Sequence, residues 1–316
     1  MVRVQTGDES AKIIPPQQST FEQFPESTVF AEGIEVIPAD YGEGSCRLHI
    51  GVEYAQKSDM TLHLHIIEPS QNNGENNLFP LIVYIQGSAW FQQNTTIGLP
   101  QLLRFAQRGF VIASVEYRPS TVAPFPAQIK DTKTALRFMI KNAERYHVNP
   151  QQIVLWGDSS GGHTAVMAGV TLDNPDLDDE SPTDDPIEVK AVVDYYGPTD
   201  ISKMNEEPST MDHIGPTSPE GMLIGGLNVL ENPEKVAPTV PMNYISEDRA
   251  IPPILIIHGN KDRLVPFGQS VMLFKTLKES NHVVECYQLK GADHGGSPFW
   301  AENVLNIVET FIRNYL

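Results

Sequence analysis

The chain has 316 residues, 40% of them hydrophobic, with 22 basic against 40 acidic residues and a formal net charge of −18. That size suits one large α/β domain or two modest ones, and so acidic a surface repels nucleic acid and anionic membranes alike. Two cysteines, Cys46 and Cys286, do not make a disulfide framework, although pairing between them stays open. No Cys/His cluster has zinc-ligand spacing.

Residues 1–30 are polar and proline-punctuated, without an apolar signal core, and predict an arm that wraps the surface. No stretch reaches the length needed to cross a bilayer, so a soluble, cytoplasmic protein is expected. TLHLHIIEP (61–69) alternates and predicts an antiparallel strand near a sheet edge. The runs FPLIVYIQG (79–87), GFVIASVEYR (109–118), QIVLWG (152–157), VKAVVDYYG (189–197) and PPILIIHG (252–259) are instead continuously apolar. Strands covered on both faces need that pattern.

Helices fall between these runs. In PAQIKDTKTALRFMIKNAERYHV (126–148), Ile129, Leu136, Met139, Ile140 and Ala143 form one stripe, opened by Pro126 and closed by Asn149-Pro150. VPFGQSVMLFKTLKES (265–280) and PFWAENVLNIVETFIRNYL (298–316) read the same way. The alternation predicts an α/β fold, a mostly parallel sheet with helices on both sides and ligands at the carboxyl ends of its strands.

Two regions break the rhythm. DNPDLDDESPTDD (173–185) lacks the ligand order of an EF-hand and predicts a solvated acidic loop. Residues 200–250, rich in Pro, Met and Gly, predict a cap or lid inserted in a single domain spanning 1–316.

Chemistry concentrates at WGDSSGGH (156–163), where a strand runs into a helix pattern. G-x-S-x-G at such a turn is a nucleophile elbow, in which the residues two before and two after the serine crowd together. Ser159 has Gly157 and Gly161 at those places, whereas Ser160 has Asp158 and Gly162. Ser159 is therefore the candidate nucleophile, and the Ser160 N–H a candidate oxyanion donor at the helix start.

A serine nucleophile needs a base and an orienting carboxylate, here in the chain order serine, acid, histidine. Asp262 follows PPILIIHG, and His294 lies in ADHGG after the last predicted strand. Asp200 and Asp293 compete for the acid's place. His163 and His258 could lie near the site but do not follow an acid in that order. The loop Gln86-Gly87-Ser88-Ala89-Trp90 supplies Ser88 and Ala89 as further oxyanion donors.

YIQGSAW, ASVEYRPS, FPAQIKDTKTALRFM, WGDSSGGH, YYGPTD, HGNKDRLVP and GADHG together resemble the α/β-hydrolase superfamily. More closely, the chain resembles its esterase branch related to hormone-sensitive lipase, and is similar to gut-bacterial feruloyl and acetyl esterases. The resemblance covers roughly residues 60–316 and implies Ser159, Asp262 and His294 as a catalytic triad. Ser160, Ser88 and Ala89 would then shape the oxyanion hole.

It further implies hydrolysis of a small-molecule ester with no metal or organic cofactor. Many relatives carry His in place of Gln86 and glycines in place of Ser88 and Ala89. The inserted segment's Met204, Met211, Met222 and Met242 are candidates to line an acyl pocket. Two rivals stand beside this reading. A serine exopeptidase would need an acidic anchor for the peptide amine and a large accessory domain. A non-catalytic small-molecule binder would have lost its base. The sequence carries no signal of oligomeric state.

Overall fold

The continuously apolar runs become the centre of one eight-stranded sheet. In the computed structural model, which describes residues 15–39, 44–70, 77–180 and 187–316, these strands are buried on both faces. Two compact units divide at Tyr41/Gly42. The described part of the first, residues 15–39, forms no helix or strand and is exposed throughout.

The second unit runs β1 (Cys46–Lys57), β2 (Met60–Pro69), β3 (Phe79–Ile85), α1 (Leu99–Ala106), β4 (Val111–Val115), α2 (Ala127–Lys141), β5 (Val148–Asp158) and α3 (Ser160–Val170). It continues with β6 (Ala191–Tyr195), the short helices α4 (Pro219–Leu223) and α5 (Pro233–Val236), β7 (Ile254–Gly259), α6 (Gly268–Glu279), β8 (Val284–Leu289) and α7 (Glu302–Tyr315). Spatial order is β1-β2-β4-β3-β5-β6-β7-β8. The β1–β2 and β2–β4 pairings are antiparallel, and the rest are parallel.

Alternate residues of each central strand feed two cores. Leu81, Val83 and Ile85 pack with α2, α3 and α6, while Ile82 and Tyr84 pack with α1 and α7. Each fully buried aliphatic side chain contributes about 1.5–3 kcal/mol relative to exposure. That burial holds the carboxyl ends of β3, β5, β6 and β7 side by side, where the candidate residues cluster.

Several expectations shift. The strand near the edge, β2, is covered by β1, which bends between His49 and Val52 around Gly51 at φ +67°. The helix predicted over 126–148 stops at Lys141, and His147 at φ +52° turns the chain into β5 at Val148. The acidic loop is mostly exposed over residues 173–180, as expected, but Leu177 and Asp178 are buried. Arg137 donates to both oxygens of the buried Asp178 at 2.8 Å, and Asp179 pairs with Lys57 and Lys130. Its residues 181–185 lie outside the described residues.

Cys46 and Cys286 are free thiols on β1 and β8, the two opposite edges of the sheet. The inserted segment is built of short helices. Its Ile201, Leu223, Ile224, Val229, Val236 and Val240 form a third apolar cluster with Trp90. Among the described residues no His/Cys/Asp/Glu group could hold a metal ion, and no helix is long and apolar enough to cross a membrane.

Candidate active site

Ser159 ends the β5 turn at φ 53°, ψ −128°, a left-handed conformation that costs a serine energy. The glycines make the turn feasible. A methyl on Gly157 would overlap the Gly161 carbonyl, and one on Gly161 would overlap the Ile85 carbonyl. The Ser159 N–H donates to Tyr195 O at 2.8 Å, tying the elbow to β6.

The loop after β7 brings Asp262 to the elbow, and the turn after β8 brings His294. His294 Nε2 lies 2.9 Å from Ser159 Oγ, and its Nδ1 lies 2.7 Å from Asp262 Oδ2. A carboxylate accepts only, so Nδ1 carries the proton and the Nε2 lone pair faces the serine hydroxyl. The ring of Tyr196 meets the His294 imidazole edge-on at 4.7 Å.

Asp262 has no exposed side-chain surface. The backbone N–H groups of Leu264 and Val265 both donate to its Oδ1 at 2.8 Å. A second imidazole, His258, reaches Oδ2 from 3.2 Å. Burial pushes the Asp262 pKa up, but hydrogen bonds from His258 and His294 and their charges outweigh it and hold the carboxylate well below its usual range.

His258 is itself fully buried, with Nε2 at 3.0 Å from Val265 O and Nδ1 at 2.7 Å from Ser270 Oγ. Sequence reasoning missed this contact. Its signal was the spacing HGNKD, which returns Asp262 to the end of the strand bearing His258. The competing acids point elsewhere. Asp200 accepts from Ser202 N and pairs with Lys203, and Asp293 pairs with Arg263 in solvent.

Ser160 opens α3, so its N–H has no partner within the helix. Its Oγ accepts the Ser88 N–H at 2.9 Å, which commits the Ser88 donor inside the protein. Ser88 Oγ in turn donates to Phe91 O and meets the buried Tyr117 hydroxyl at 2.9 Å. Ala89 and Trp90 are both left-handed, at φ 54° and 57°.

Asp158 staples this loop to the elbow. Its Oδ1 accepts Tyr84 OH at 2.6 Å and Gly87 N at 3.0 Å. The serine–tyrosine network thus holds the loop.

Ser159, His294, Ala89 and Trp90 border a cavity of about 60 Å³ that the inserted segment also lines. From that segment come Met211, His213 and Glu220. Of the other candidate methionines, Met204 is buried and Met242 packs on the apolar clusters. A larger cavity of about 890 Å³, lined by Pro150, Gly169 and Pro252 among others, lies away from these residues.

A mostly parallel sheet flanked by helices, with an elbow at the carboxyl end of β5, is the architecture of the α/β-hydrolases, and the solved structures this chain resembles share that fold. A truncated carbohydrate esterase from gut microbiota is 29% identical with a TM-score of 0.72, over 88% of this chain and 98% of that one. A bifunctional GH43-CE protein of Bacteroides eggerthii is 30% identical with a TM-score of 0.72, over 86% of this chain and 38% of that one.

The BD-FAE family model matches residues 64–277, so the chain belongs to that family. Esterase LipC of Mycobacterium tuberculosis is 29% identical over 68% of this chain and 53% of its own length. The isoprenylcysteine alpha-carbonyl methylesterase ICME of Arabidopsis thaliana is 24% identical over 77% of this chain and 55% of its own. The chain thus spans about half the length of these curated relatives.

Proposed function

We propose that this protein is a serine carboxylesterase acting on short-chain or aromatic acyl esters through an acyl-enzyme. The observation that carries the reading is the continuous hydrogen-bonded line Ser159 Oγ, His294, Asp262, at 2.9 and 2.7 Å. Ser159 Oγ attacks the ester carbonyl while His294 Nε2 takes its proton, and Asp262 fixes the tautomer and stabilises the imidazolium. His294 then protonates the departing alcohol, and water repeats the cycle on the acyl-enzyme.

The Ala89 and Ser160 N–H groups are the proposed oxyanion donors, each worth about 3 kcal/mol in the transition state. Ser88, whose N–H is already committed, holds the loop instead.

The acyl group, acetyl or feruloyl, would enter the cavity that Ser159, His294, Ala89 and Trp90 border. The structural neighbour named a carbohydrate esterase supports a sugar alcohol as the other half of the ester.

Ser159→Ala should abolish turnover of p-nitrophenyl acetate and labelling by a fluorophosphonate. Ser160→Ala should retain both. The reverse outcome would overturn the assignment. An ester panel running from acetyl to feruloyl, scored by kcat/KM, tests the acyl preference.

A further inference from the structure

The cavity beside Ser159 holds a polar group that the proposed mechanism does not use. Glu220, on α4, borders that cavity and is only 3% exposed. Its Oε1 meets His213 Nδ1 at 2.8 Å. Its Oε2 is buried and, among the described residues, has no hydrogen-bond partner. Native proteins rarely leave a buried carboxylate oxygen unmatched, because nothing replaces the water it gave up.

The neighbouring imidazole fixes what Oε2 can receive. His213 Nε2 lies 3.0 Å from the Leu264 carbonyl, an acceptor only, so Nε2 carries a proton. Nδ1 and Glu220 Oε1 then share a second proton. The pair is neutral overall, and its cationic half opposes a ligand ammonium. Trp90 borders the same cavity, and among the described residues its indole N–H also has no acceptor. A ligand hydroxyl can donate to Oε2, whereas a methyl cannot.

The geometry points to Glu220 as the acceptor for a substrate hydroxyl close to the scissile ester, which makes it a specificity-determining residue. This assignment rests on the esterase reading above. The hydroxyl can belong to the acyl group, as in a 2-hydroxy acid, or to the alcohol, as in a vicinal diol.

Two matched pairs separate these sources. Ethyl propionate against ethyl lactate places the hydroxyl on the acyl side. Cyclohexyl acetate against trans-2-hydroxycyclohexyl acetate places it on the alcohol side. In the wild-type enzyme one pair should favour its hydroxylated member by about tenfold or more in kcat/KM, the worth of one hydrogen bond to a charged group.

Glu220→Leu should erase that ratio. Glu220→Gln, the conservative replacement should the leucine variant fail to fold, should reduce it, because a neutral acceptor bonds about half as strongly. Equal rates within both pairs in the wild type, the outcome if Oε2 holds only a water, would overturn the assignment. So would a wild-type ratio in the variants. If no ester turns over and Ser159 resists a fluorophosphonate, the esterase reading fails instead.

Discussion

Two histidine–carboxylate pairs meet at one cavity, which His294 of the first and both residues of the second border, and they are built for different work. In His294–Asp262 the acid is saturated by two backbone N–H groups and two imidazoles, while the base is 16% exposed and turns its second nitrogen to Ser159. In His213–Glu220 the distribution is reversed. Both nitrogens of the buried imidazole are committed to protein atoms, and among the described residues one oxygen of the acid is unmatched. A saturated carboxylate can orient a histidine but has little capacity left for a ligand. A half-satisfied one beside an immobilised histidine can bind a ligand but has no mobile base to assist.

The largest effects should come from the first pair. His294→Ala should lower kcat on p-nitrophenyl acetate by about 10⁶-fold, as loss of a triad base does. His213→Ala should leave most of the rate in place, because its nitrogens never face the serine. Equal losses would dissolve the distinction. Asp262→Asn comes next, at about 10⁴-fold, because an amide N–H facing Nδ1 selects the wrong tautomer. The matching change on the other side, Glu220→Gln, should alter selectivity between esters far more than the common rate.

Much of this site was legible in the sequence, and the rest was hidden for physical reasons. Glycines at 157 and 161 are demanded by backbone crowding, so they marked Ser159 without any tertiary knowledge. Asp262 and His294 follow strands whose parallel order forces their ends together. The parallel core was readable because strands buried on both faces have to be apolar throughout.

β1 was overlooked although Leu48, Ile50, Val52 and Tyr54 alternate as a strand's residues do; its mostly exposed residues lack the continuous apolar run that marked the central strands, and it is ordered by pairing with β2. The Ser88–Ser160 bond and the orphaned oxygen of Glu220 were invisible. Both depend on residues about 70 positions apart, or on a short-helix segment without periodicity. The docking of Asp178 by Arg137 is another long-range pairing that a run of acids conceals.

A smaller effect is expected at His258, which acts through Asp262 and so is a positioning residue. His258→Leu should lower kcat by about tenfold to a hundredfold, the worth of a hydrogen bond to a charged acceptor, with KM changed far less. His258→Gln, which keeps a donor, should recover part of the loss. A change confined to thermal stability in both variants would make the residue merely structural.

The smallest effect separates the two pairs by pH. Burial works against the charged form of His213, but the hydrogen bond and charge of Glu220, with Asp212 nearby, raise its pKa above the usual value. A raised histidine contributes stability that is fully present below its unfolded value of 6.5 and is lost as pH rises through the folded value. Above that point a lone pair on Nδ1 faces the Glu220 carboxylate. Asp262 has the opposite sign. Its lowered pKa contributes stability above 3.8 that is lost only as pH falls through the folded value. His213→Gln should therefore cost about 1–3 kcal/mol near pH 5.5 and distinctly less near pH 9, measured by urea unfolding. Asp262→Asn should cost the same at both. A His213→Gln penalty independent of pH would mean that the second pair carries no shared proton, and the neutral environment argued for Glu220 would fall with it.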